Sequence, residues 1–115
     1  MTIARHNAGP RMSGAVVHNN TVYLAGQVAA DPSAGVKGQT EQVLKKIDDL
    51  LKAAGSDKSK LLSATIFLAD IRGFDEMNAA WDAWVVAGST PGRATVEARL
   101  ANAKYLVEIV AIAAV

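Results

Sequence analysis

Two amphipathic stretches, each set between strand-like runs, constrain this chain most. From Thr40 to Ala54 the apolar residues Val43, Leu44, Ile47, Leu50, Leu51 and Ala54 recur at helical spacing and form one stripe. Glu41, Lys45, Lys46, Asp48, Asp49 and Lys52 fall off that stripe and are expected in solvent. Gly55 follows as a C-terminal stop. A second helix is read from Phe74 to Ala87, with Phe74, Met77, Asn78, Trp81, Trp84 and Val85 on its inner face. Each helix needs a surface to cover, and the strand patterns supply it.

The segment "AVVHNNTVYLAGQV" reads as a hairpin whose turn is His18-Asn19-Asn20-Thr21. Asparagine tolerates the left-handed backbone that a tight hairpin requires. The run "DPSAG" at 31–35 is a loop. Leu61 to Ala69 is a strand, Asp70 to Gly73 a connection, Arg93 to Leu100 a strand, Ala101 to Lys104 a link, and Tyr105 to Val115 a final strand. The order is β-β-α-β-α-β-β with hairpins expected at both ends. That order predicts an α+β domain over residues 1–115, a mixed sheet with two helices on one face. The uncovered face is also apolar in places. With half of the 115 residues hydrophobic, the chain is expected to hide surface against copies of itself.

Charge and residue type exclude several functions. Formal net charge is +1, from 12 basic and 11 acidic residues, with no basic block. Nucleic acid is therefore not an expected partner. No cysteine is present, which excludes disulfides, thiolate metal sites and cysteine nucleophiles, and fits a reducing cytoplasm. His6 and His18 lack a second ligand at metal spacing, so no metal site is expected. The start of the chain has no apolar signal core, and Glu108 interrupts the longest apolar run, so no membrane span is expected. "AGQVAADPSAG" lacks the lysine and helix of a phosphate loop. Trp81 and Trp84 read as core or interface and not as a base-stacking platform.

Three polar residues stand out. Glu108 is the only charge between Tyr105 and Val115. It either lies in water or pairs with an arginine, or it lines a pocket as a proton acceptor. Arg93 offers a planar fork that grips a carboxylate at two points, or it makes a surface ion pair. Thr95 follows on the same face, as do Glu97 and Arg99, which are expected to pair with each other. If 93–99 and 105–113 form a hairpin, Arg93 lies toward the far end of the last strand. Asn78 is an amide on an apolar helix face, expected to anchor a loop or a subunit contact in preference to a ligand.

"YLAGQV" (23–28), "ATIFLADIRGFDEMNAAWDAW" (64–84), "GRATVEARL" (92–100) and "VEIVAIAAV" (107–115) resemble the Rid, or YjgF-like, family of reactive-intermediate deaminases. The helix "FDEMNAAWDAWVVAG" is most similar to the short YoaB-like subgroup. The resemblance implies a chorismate-mutase-like fold and a homotrimer with clefts between subunits. It implies hydrolysis of enamines and 2-imino acids to 2-keto acids and ammonia, without metal or cofactor. By the same resemblance Arg93 holds the substrate carboxylate and Glu108 positions the attacking water. Thr95, where the archetype has cysteine, contacts the ligand through its backbone, and Gly26 and Asn78 lie in the family's binding segments. Arg11 replaces the archetype's tyrosine and Ala25 its serine, which bears on substrate range: a second cation suits a dicarboxylate, or pairs with a nearby acid. Two other readings remain open: a non-enzymatic trimer that binds small carboxylates, and an RNA-cleaving or chaperone-like protein. The even charge counts against RNA.

Overall fold

The computed structural model describes residues 2–115. Six strands form one sheet: β1 (Ala4–His6), β2 (Ala15–His18), β3 (Thr21–Leu24), β4 (Leu61–Leu68), β5 (Gly92–Glu97) and β6 (Val107–Ala114). Their spatial order is β1-β2-β3-β6-β4-β5. Every neighbouring pair is antiparallel except β4 and β5. Because β6 opposes both β3 and β4, those two run parallel to each other. Two parallel crossovers result, β3-α1-β4 and β4-α2-β5, with helices α1 (Val36–Ala53) and α2 (Phe74–Trp84). Crossovers of one hand place both helices on the same side of the sheet. The α+β architecture expected from the sequence is the one observed.

The hairpin turn is as expected. Asn19 and Asn20 both take positive φ, 51° and 62°, which a two-residue turn between twisted strands needs. At the other end there is no hairpin. β4 lies between β5 and β6, so 93–99 never pairs with 105–113. A two-strand reading fails here because β4, distant in sequence, is apolar on its helix-facing side and takes the place beside β6. β1 is a short edge strand that the sequence reading did not anticipate.

Element ends moved for local reasons. α1 begins at Val36 and not Thr40. Its first five residues include Gly38 and the buried polar residues Gln39 and Thr40, which an apolar stripe cannot reveal. The end is as expected: Gly55 takes φ +82°, and Ser56 N–H donates to the Leu51 carbonyl at 2.8 Å. α2 stops at Trp84 and not Ala87, because Val85 turns to extended backbone (ψ 148°) and packs against the core. β5 ends at Glu97 and β6 starts at Val107, so the link between them is longer than 101–104.

The core lies between the helices and one sheet face. It joins Val43, Leu44, Ile47 and Leu51 of α1, Met77, Ala80 and Trp81 of α2, and the alternate strand residues Ile66, Leu68, Val107 and Ile109. Gln39 is fully buried within it. Its Nε2 donates to the Lys104 carbonyl at 3.0 Å and its Oε1 accepts from Leu106 N–H at 2.9 Å, tying α1 to the approach to β6. On α1, Lys46 and Asp48 are not fully solvated as expected: Lys46 donates to the Val28 carbonyl, and Asp48 accepts from the Trp84 indole.

Candidate functional site

β6 alternates strictly. Val107, Ile109, Ala111 and Ala113 are buried beneath the helices, while Glu108, Val110, Ile112 and Ala114 are half-buried on the opposite, open face. Register carries the alternation across the sheet. Arg93 pairs with Ala64, and Ala64 with Ala111, so Arg93 belongs to the helix side. Glu108 pairs with Phe67, and Phe67 with Val96, so Glu108 belongs to the open side.

On the helix side, Arg93 Nη1 donates to Asn78 Oδ1 at 2.8 Å. Its guanidinium lies 5.2 Å from the Trp81 ring centre and 5.9 Å from that of Phe74. Among the described residues the ion pairs are Lys45–Asp49 and Arg72–Asp70, and Arg93 takes part in neither. The surface ion pair open for Arg93 in the sequence is not formed. Within the chain, the partner of the Asn78 side chain is the arginine. Thr95 stands two residues on, on the same face, with its Oγ1 buried and unpartnered. The expected Glu97–Arg99 pair is not formed; Glu97 Oε1 accepts from Ile71 N–H at 3.0 Å, which fixes the turn ahead of α2.

On the open side, Glu108 lies across Gly26. A Cβ on Gly26 would stand 2.2 Å from Glu108 Oε2. Any side chain there would displace the carboxylate, so the glycine is a requirement of close approach and not of backbone angle. Gln27 and Ile109 exchange backbone hydrogen bonds at 2.9 and 3.1 Å, holding this segment against β6. Arg11 is exposed on the loop between β1 and β2, whose end is tied to the same segment by Ala25 N–H donating to the Gly14 carbonyl at 2.9 Å. The sequence-expected site residues therefore fall into two groups: Arg93, Asn78 and Thr95 on one side, and Gly26 and Glu108 on the other. Phe74 and Trp81 were read from sequence as helix-face apolar residues, and their contact with Arg93 went unread. Their spacing with Asn78 on one helix face was the available signal.

Two hollows of the single chain are lined by neither Arg93 nor Glu108. One of about 390 Å³ is lined by Glu97, Arg99, Asn102 and Tyr105. Another of about 310 Å³ is lined by Asn7, Gly14, Gln27 and Lys46. No helix is long and apolar enough to cross a membrane among the described residues.

A mixed sheet with two helices on one face is the architecture of the YjgF-family structures. Over residues 2–115 the chain matches the family described as Endoribonuclease L-PSP, and it belongs to that family. It is 53% identical over 115 residues to the RutC family protein YoaB of Escherichia coli, covering 100% of both chains. It is 35% identical over 107 residues to the 2-iminobutanoate/2-iminopropanoate deaminase of Rattus norvegicus, covering 88% of this chain and 77% of that one. The crystal structure of a YjgF-family protein from Neisseria meningitidis superposes with a TM-score of 0.97 at 45% identity, covering 99% and 95% of the two chains. The family resemblance drawn from the residues is confirmed.

Proposed function

We propose that this protein hydrolyses small 2-imino acids to 2-keto acids and ammonia, in clefts completed by neighbouring subunits of a homotrimer. The observation that carries the reading is the state of Arg93, a guanidinium held by an amide and two rings and paired with no carboxylate among the described residues. Such a fork is ready for a substrate carboxylate. A relative 35% identical carries the name of a 2-imino acid deaminase, which supports the same chemistry.

The geometry supports a site shared between subunits. Arg93 and Glu108 leave the sheet on opposite sides, so one chain cannot direct both at one small molecule. A neighbour brings them together if its open sheet face is the packing surface. That face presents Val16, Tyr23, Phe67, Val96, Val110 and Ile112, none of them fully buried in the single chain. An apolar patch of this kind marks an association surface.

In the reaction, Arg93 of one subunit grips the carboxylate of the substrate. Glu108 of the next accepts a proton from water as the oxygen bonds to the iminium carbon, giving a carbinolamine. Glu108 passes that proton to nitrogen, then takes up the hydroxyl proton as the C=O bond forms and the C–N bond breaks to release ammonia, and returns it to solvent. Orientation by the fork removes entropy before the chemical step. Backbone groups beside Thr95 would contact the ligand, and Arg11, exposed on the β1–β2 loop, would favour a substrate with a second carboxylate if it reaches the cleft. The site uses no cofactor in this scheme, and the cytoplasm is the fitting compartment.

The test is imine trapping. An amino-acid oxidase generates 2-imino acids from a panel of amino acids while semicarbazide competes for them. The protein is expected to suppress semicarbazone formation, and Arg93→Ala to abolish the suppression. Full activity in both Arg93→Ala and Glu108→Ala would sink the reading. Binding without turnover across the panel would move it to a carboxylate-binding trimer.

A further inference from the structure

Phe74, Asn78 and Trp81 follow each other at four and three residues along α2 and so share one face of the helix. All three meet the same partner. Asn78 takes one amino group of Arg93, and the two rings flank its guanidinium. We propose that Phe74 and Trp81 are positioning residues that hold the Arg93 fork in one orientation for a carboxylate. This inference rests on the carboxylate-binding reading of Arg93.

The choice of aromatic partners carries the argument. A carboxylate beside Arg93 would also fix it, but would compete with the substrate for the same N–H groups. A ring attracts the cation through its π face and leaves the in-plane N–H groups free. The Asn78 bond occupies Nη1 and leaves rotation about that contact open. Rings at 5.2 and 5.9 Å restrict that rotation, so less freedom is lost when an anion arrives. Burial separates the two rings. Trp81 is 6% exposed and also belongs to the core, whereas Phe74 is 40% exposed and adds little to it. Phe74 lies outside the core cluster, and its ring stands beside Arg93.

Phe74 is therefore the residue to change. Trp84→Phe first leaves Trp81 as the single indole, beside the fork. In that background, quenching of Trp81 emission by 2-oxobutanoate reports binding, and imine trapping reports KM and kcat. Phe74→Leu is expected to raise Kd and KM together by roughly two- to fivefold with kcat little changed. Phe74→Tyr, which keeps the ring, is expected to restore both, and thermal midpoints should stay close to the parent's. Parent-like binding by Phe74→Leu, where Arg93→Ala loses it, would overturn the positioning role alone. Equal loss in Phe74→Leu and Phe74→Tyr would overturn it as well, since the ring would not be the cause. Parent-like binding by Arg93→Ala, or no binding by the parent, would overturn the carboxylate reading itself, and the inference with it.

Discussion

Arg93 and Glu108 stand on opposite faces of the same sheet, on strands consecutive in the chain yet not adjacent in space, since β4 separates β5 from β6. The fork faces α2, while the carboxylate faces away from both helices. On the proposed reading, a chain with this layout holds two half-sites.

Half-sites can complement. Arg93→Ala subunits keep Glu108, and Glu108→Ala subunits keep Arg93. Each homogeneous variant is expected to be inactive. When the two are unfolded together and reassembled in equal amounts, each boundary has an even chance of the right partner on each side, so about a quarter of wild-type activity should return. Activity in the mixture no higher than in the separate variants would exclude a shared site.

Gly26→Ala tests the carboxylate directly. The new methyl carbon would lie 2.2 Å from Glu108 Oε2, so the side chain must swing away. Gly26 is not among the positive-φ glycines, so the backbone tolerates alanine. Turnover should fall by about a hundredfold, the scale of a misplaced catalytic group, with little change in thermal midpoint. Parent-like kcat in this variant would show that the carboxylate's place over Gly26 is unimportant.

Gln39 joins α1 to the approach of β6 through both ends of its amide. Gln39→Leu fits the volume but leaves the Leu106 N–H and the carbonyls of Pro32, Ala34 and Lys104 without this partner. A loss of about 2–4 kcal/mol is expected by urea unfolding: a buried group left unpaired costs about 1–3 kcal/mol, and these part-buried groups are partly reached by water, so the four do not add in full. A loss within the error of the extrapolation would mean that water or rearrangement replaces the amide.

Asp70 supplies a pH dependence. Hydrogen bonds from the Arg72 side chain and backbone hold its carboxyl at about 2, below the ordinary 3.8. Its folded value is depressed, so its contribution is complete above the unfolded value and is lost as pH falls from about 4 through about 2. Thermal midpoints of the parent and Asp70→Asn should differ above pH 5 and converge toward pH 2, and added salt should shrink the difference because the pair is exposed. A constant difference across that range would assign the effect to something other than ionisation.

Local pattern carried the helices, most strands, the Asn19-Asn20 turn and the identity of Arg93 and Glu108 as the residues worth watching. Helical and strand periods are properties of neighbouring residues, and a lone charge in an apolar strand is visible without a fold. The short β1, the glutamine hidden in the first turn of α1 and the early end of α2 escaped because each depends on what packs from elsewhere. Strand order escaped for the same reason. That β4 separates β5 from β6 follows from competition among distant apolar strands for one place in the sheet, and no window of sequence contains it. From that order comes the separation of Arg93 and Glu108 onto two faces, and from the packing of α2 come the rings around the guanidinium. Side-chain alternation tells which residues share a face within one strand; only hydrogen-bonded register across strands tells which face that is.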